Sequence, residues 1–263
     1  MSDSNRKNLN AQRTRRNIMR NIMKAGGVLG SAFLANLVTP KSAKALVCFL
    51  KGTKIRTASG DRKVEDLMIG DLLPTVSGEM RPIQWVGRYS YKKSDPAKEW
   101  VKAVRPVRIA RSAIDHNVPH ADLYVTTGHA FFIDGVLVPA GSLINDMTIT
   151  LHDAREFDEL EYFHFKLESH DVIFAEGAPC ETLLAVKENA RNFADYYRMY
   201  GVPKADERCC APRLGFNGGR SAFKFLIRSA LAPWVDRRNT LDVIQDRLQE
   251  RGIALSRQTA LTS

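Results

Sequence analysis

Long apolar runs are missing from the chain. The best candidate, residues 25–38, is 14 residues long and interrupted by Gly26, Gly27 and Gly30, short of the roughly 20 a helix needs to cross a bilayer. Cysteine is scarce: Cys48, Cys180, Cys209 and Cys210 are too few to staple 263 residues and lack the spacing of a zinc site. A disulfide scaffold is thereby excluded, although Cys180 paired with Cys209 or Cys210 stays conceivable in an oxidising compartment. Acidic residues are nearly absent from residues 1–45, where Asp3 alone faces nine Lys and Arg. The formal charge of +10 is therefore concentrated there, leaving about +2 on the rest. No basic stripe interleaved with aromatics exists, so nucleic-acid binding is not expected. Internal repeats and low-complexity runs are also lacking, which argues against a solenoid or a linker-like chain.

What is present describes a globular protein, with 44% hydrophobic and 26% charged residues. Residues 1–45 combine a basic region, the modest apolar stretch and the small-residue site Ala43-Lys44-Ala45, the order of parts in a secretory signal. Thr14-Arg15-Arg16-Asn17-Ile18-Met19 resembles the twin-arginine pattern of bacterial export signals. This implies export machinery as a partner, a periplasmic or secreted location, and a mature chain starting at Leu46. The competing reading is a basic amphipathic helix or an anchor.

From Cys48 to about Glu181 the chain reads as short strands broken by turn residues. Strands are expected over residues 54–58, 71–76, 82–91, 104–110, 123–127, 130–133, 136–138, 148–151, 161–168 and 171–175. Ser59-Gly60-Asp61, Ser77-Gly78-Glu79 and Asp134-Gly135 supply the turns. After Thr182 the spacing becomes helical over residues 188–200, 221–232 and 240–251, in a basic tail read as a solvated helical cap. His116 and His120 stand at a metal-like spacing, but Pro119 interrupts any helix that would align them. No metal or cofactor is expected.

Cys48-Phe49-Leu50-Lys51-Gly52-Thr53-Lys54-Ile55 closely resembles the opening of Hint (hedgehog/intein) domains, in which cysteine is the first residue. Val64-Glu65-Asp66-Leu67 with Ile69-Gly70-Asp71, then Thr126-Thr127-Gly128-His129, then His170-Asp171-Val172-Ile173 with Glu176-Gly177, continue the family's motifs in order. The resemblance covers roughly residues 48–182 and is closest to bacterial Hint proteins. It implies a mainly β, horseshoe-like module over residues 46–182 between the leader and a helical extension, 183–263.

Read as chemistry, these residues suit an N-to-S acyl shift, in which the Cys48 thiol attacks the Val47 carbonyl. An amide needs a nucleophile, a proton for its nitrogen and help for the oxyanion. Cys48 is the candidate nucleophile, with part of its thiol expected to ionise near neutral pH. His129 is the candidate acid for the departing nitrogen, and Thr126 would orient the peptide. On one strand positions 126 and 129 face apart, so a bend is required, and Gly128 is expected to permit it. His164 falls where family members carry an acidic residue that assists later steps, and His170 at a frequently polar position; either is a candidate second base or a structural histidine.

Splicing also needs a terminal Asn, usually after His and before a nucleophile. The corresponding stretch, Ala178-Pro179-Cys180-Glu181, has none. Cys180 could receive an acyl group, yet Pro179 offers no cyclising side chain. The expectation is self-acting cleavage at Val47-Cys48, with the N-terminal segment as substrate and water, a thiol or an amine as the acceptor. An exported binding or structural module that keeps the fold without reacting is the alternative.

Overall fold

In the computed structural model residues 47–186, 193–201, 208–214 and 239–262 are described. The expected leader and the helix expected over residues 221–232 lie outside the described residues. The strands are β1 (Phe49–Leu50), β2 (Lys54–Thr57), β3 (Gly60–Lys63), β4 (Leu72–Pro74), β5 (Met80–Lys92), β6 (Val107–Ile109) and β7 (Leu123–Val125). They continue as β8 (Ala130–Ile133), β9 (Val136–Pro139), β10 (Ile149–Leu151), β11 (Glu159–Leu167), β12 (Val172–Ala175) and β13 (Ala178–Glu181). Among the described residues two helices follow, α1 (Phe193–Tyr200) and α2 (Thr240–Thr262).

A seven-stranded sheet runs β10-β6-β7-β1-β11-β5-β4 and a six-stranded sheet β3-β2-β12-β13-β8-β9. Turn chemistry sets much of this order. Asp134 and Gly135, at φ 51° and 82°, close β8 onto β9 as a two-residue hairpin. Glu176 and Gly177, at 46° and 79°, do the same between β12 and β13. The first hairpin differs from its expected position: Thr57 pairs with Gly60, so Ala58 and Ser59 form the turn and Gly60, at φ 108°, opens β3.

β5 and β11 are the spine, pairing from Glu159↔Lys92 to Leu167↔Ile83 with a shift after Lys166. β11 is buried on both faces because each covers a different cluster. Phe163 and Phe165 join Phe49, Ile55, Val125 and Phe131 in the main core, whereas Leu160 and Tyr162 pack with Cys48, Leu50 and Trp100. Each fully buried large apolar side chain contributes about 1.5–3 kcal/mol. Two-residue β1 thus divides its side chains between two cores by strand alternation, with Phe49 on one side and Cys48 and Leu50 on the other.

Gly87 stands opposite His164 in that spine, and a Cβ there would meet Trp85 Cη2 at 2.2 Å. Gly87→Ala should therefore displace the Trp85 indole and destabilise the fold by about 1–3 kcal/mol. Urea unfolding followed by tryptophan fluorescence would show both changes.

Helix α2 caps the β module through buried Ile244 and Leu248. Gln245 donates to Ser142 O at 2.6 Å, and Arg247 pairs with Asp134 at 2.9 Å. It runs beyond the expected residue 251. Helix α1 covers the end of the helix expected over residues 188–200. Among the described residues no helix is long and apolar enough to cross a membrane.

Candidate active site

The site forms where β1 and β7 begin to part. Their antiparallel register pairs Phe49 with Val125, so the next pair is Cys48 and Thr126. Thr126 N–H donates to Cys48 O at 3.0 Å, as a regular ladder requires. Thr126 O is unavailable for the return bond because the chain turns and His129 N–H takes it at 3.0 Å. The Thr126 hydroxyl substitutes, accepting from Cys48 N–H at 2.9 Å. The amide nitrogen of the Val47-Cys48 peptide is therefore held by a side chain, beside the turn that carries His129. The bend expected between positions 126 and 129 is this hydrogen-bonded turn, and Gly128 is not among the glycines at positive φ.

His129 is fully buried, with its ring centroid 4.2 Å from that of Phe49. Neither ring nitrogen makes a hydrogen bond within the described protein. Burial pushes its pKa well below the usual histidine range, His164 and Arg213 push the same way, and the Cys48 main chain opposes them. The ring is neutral at working pH, so one nitrogen can accept a proton while the other carries one. A buried unsatisfied imidazole costs about 1–3 kcal/mol, and such unpaired groups mark candidate functional sites.

The thiol contradicts its expected state. Cys48 is fully buried beside Leu50, Trp100, Leu160 and Tyr162, and this burial drives its pKa strongly upward. No imidazolium lies by to offset it, because His129 is itself neutral. Cys48 waits as a thiol rather than a thiolate, so any attack requires removal of its proton during the step.

Continuing the Phe49↔Phe163 and Leu50↔Tyr162 register by one residue sets His164 opposite Cys48. His164 lies edge-on to Trp85, with ring centroids 6.4 Å apart, and its nitrogens are also unpaired. Burial, with a contribution from His170, pushes its pKa down to about 3. His170 sits in a layer behind. Its Nδ1 accepts from Cys210 N–H at 3.0 Å and its Nε2 lies 3.6 Å from Glu181 Oε2. The structure thus brings Cys48, Thr126 and His129 to one peptide, sets His164 alongside, and ties His170 to the tail.

A sequence profile of the Hint domain matches residues 47–187, more than half of the chain. The chain belongs to the Hint domain family. The profile begins one residue before Cys48, placing the parting of β1 and β7 at the head of the Hint module. Among solved structures, an intein-like domain from Clostridium thermocellum is 15% identical with a TM-score of 0.36, covering 53% of this chain and 100% of its own. A DnaB intein from Synechocystis is 14% identical with a TM-score of 0.36, covering 52% and 99%. Among curated proteins none matches.

Two residues that hold the His129 turn, one in the Hint module and one in the tail, carry no local signal in the sequence. Glu181, at the end of β13, accepts from Ala130 N–H at 2.9 Å. Arg213, from the tail, pairs with Glu181 and donates to Gly128 O at 2.7 Å. All four cysteines are free, and Cys180 is fully buried in the main core opposite Phe131, so it serves there as a small apolar side chain. For metals, His152, Asp153 and Glu156 can bring one ligand atom each within 4.8 Å of one another. His152 and Glu156 already pair at 2.6 Å.

Proposed function

We propose that this Hint domain cleaves its own chain between Val47 and Cys48 through a thioester. The observation that carries the reading is the 2.9 Å bond from the Cys48 amide N–H to Thr126 Oγ1, at the turn that delivers a buried, unbonded imidazole. Cys48 Sγ attacks the Val47 carbonyl carbon as its proton passes to water, while neutral His129, packed on Phe49 across β1 from the thiol, supplies a proton for the amide nitrogen and recovers one from water. The tetrahedral intermediate collapses when the imidazole proton is delivered to the amide nitrogen, which leaves as the free amine of Cys48. The C–N bond breaks, the C–S bond remains, and no proton is gained or lost overall. Water, a thiol or an amine then attacks the thioester, releasing the N-terminal segment and regenerating the thiol. Read with residues 1–45 as an export leader, the reaction detaches that leader together with Leu46 and Val47 in place of signal cleavage after Ala45. His164, across from Cys48, is the candidate base for the second attack.

Hydroxylamine tests this reading. Added to freshly purified protein, it should convert the thioester to a hydroxamate on Val47 and release the N-terminal segment, with no such product from His129→Ala. A second reading, a binding or structural module without turnover, is favoured by the sealed, fully protonated Cys48 thiol. No hydroxamate at any concentration would select it.

Thr126→Val keeps shape but leaves Cys48 N–H unpaired. It should cost about 1–3 kcal/mol and slow cleavage on the order of 10²-fold by releasing the amide nitrogen from its place. Urea unfolding and single-turnover cleavage would measure the two effects.

A further inference from the structure

β9 ends the six-stranded sheet, and the tail runs parallel to it at Arg213. Leu137 N–H donates to Pro212 O at 2.8 Å, and Leu214 N–H to Leu137 O at 2.9 Å. The edge is thereby covered, as an exposed strand edge requires, and Arg213 is fixed in register. Its Nη1 pairs with Glu181 Oε2 and its Nη2 donates to Gly128 O at 2.7 Å. Glu181 Oε1 meanwhile accepts from Ala130 N–H. The ion pair grips the main chain on both sides of His129, at the carbonyl of residue 128 and the amide of residue 130. His129 N–H and C=O are themselves taken by Thr126 O and Ala140 N–H, at 3.0 and 2.8 Å. With both ring nitrogens unbonded, the imidazole is placed by its main chain and by packing on Phe49.

We infer that Arg213 is a positioning residue for cleavage before Cys48, holding the turn that carries His129 through Glu181 and Gly128; the inference rests on the function proposed above. The forked guanidinium suits the task because one planar group spans a carboxylate and a carbonyl, whereas lysine offers a single point donor. If Arg213 served only to neutralise buried Glu181, lysine would replace it fully. Arg213→Ala keeps a partner for Glu181, since His170 Nε2 stands 3.6 Å away, so the variant is expected to fold.

One arm of the test follows single-turnover, thiol-induced cleavage of the full chain for wild type, Arg213→Ala and Arg213→Lys across a pH series. Arg213→Ala should be slower on the order of 10- to 100-fold, with little rescue by Arg213→Lys and partial recovery in dilute guanidinium. The pH at which cleavage fails should rise in Arg213→Ala, because a cation that opposes protonation of His129 is gone. The other arm compares His129 imidazole resonances in Cys48→Ala chains with and without Arg213→Ala, and they should shift. Wild-type rates and pH dependence in Arg213→Ala, or full rescue by Arg213→Lys, would overturn the inference. If the wild type never cleaves, the proposed function fails and the resonances decide alone: a shift supports the positioning role, and no shift overturns it.

Discussion

His129→Leu is expected to slow thioester formation by about 10²- to 10⁴-fold, the usual worth of a positioned acid–base group, and to make the protein more stable. The two effects share one cause. An imidazole buried with neither nitrogen bonded carries a desolvation cost of about 1–3 kcal/mol, which leucine beside Phe49 and Phe131 would not carry. Loss of ring contact with Phe49, 4.2 Å away, offsets part of the gain. A net of about 1 kcal/mol is expected, or a rise in Tm of roughly 2–4 °C for a domain of this size. Single-turnover cleavage and a thermal melt measure the pair. Lower stability with an unchanged rate would make His129 an ordinary core residue.

Acid should destabilise the fold steeply before its carboxylates are protonated. His129 and His164 are both fully buried, and burial lowers both from the histidine value of 6.5, His164 to about 3. Below pH 6.5 the unfolded chain binds a proton at each site that the folded chain refuses, so stability falls as pH falls. Their stabilisation is intact above pH 6.5 and is lost progressively down to the folded pKa values. His164 contributes a slope of about 1.4 kcal/mol per pH unit, so between pH 6.5 and 5 it should cost about 2 kcal/mol, with His129 acting in the same direction. His164→Phe should remove its own share of that slope, which denaturant titrations at several pH values would resolve.

The sequence showed parts of this arrangement and hid others for identifiable reasons. Asp134-Gly135 was legible because a two-residue turn needs two left-handed residues, and both adopt them. β13 was not, because Pro179 argues against a strand. Phe49–Leu50 is too short for any periodicity, yet the candidate nucleophile Cys48 directly precedes it. Cys48, Thr126 and His129 were recoverable from the order of motifs. The protonation state of Cys48 was not, since it depends on Leu160 and Tyr162 of β11 and on Trp100 from the loop after β5. Glu181 and Arg213 leave no trace in the sequence because their partners, Ala130 and Gly128, lie 51 and 85 residues away. A helical cap, the expectation for the tail, describes α2 but not the segment that reaches the His129 turn.

Intact mass of the purified full chain, with and without added thiol, tests the central claim most directly when wild type is set beside Cys48→Ala. The account predicts a wild-type fragment beginning at Cys48, formed faster with thiol and absent from Cys48→Ala. A wild-type chain whole across residues 47 and 48 under both conditions, or a break there that persists in Cys48→Ala, would contradict it.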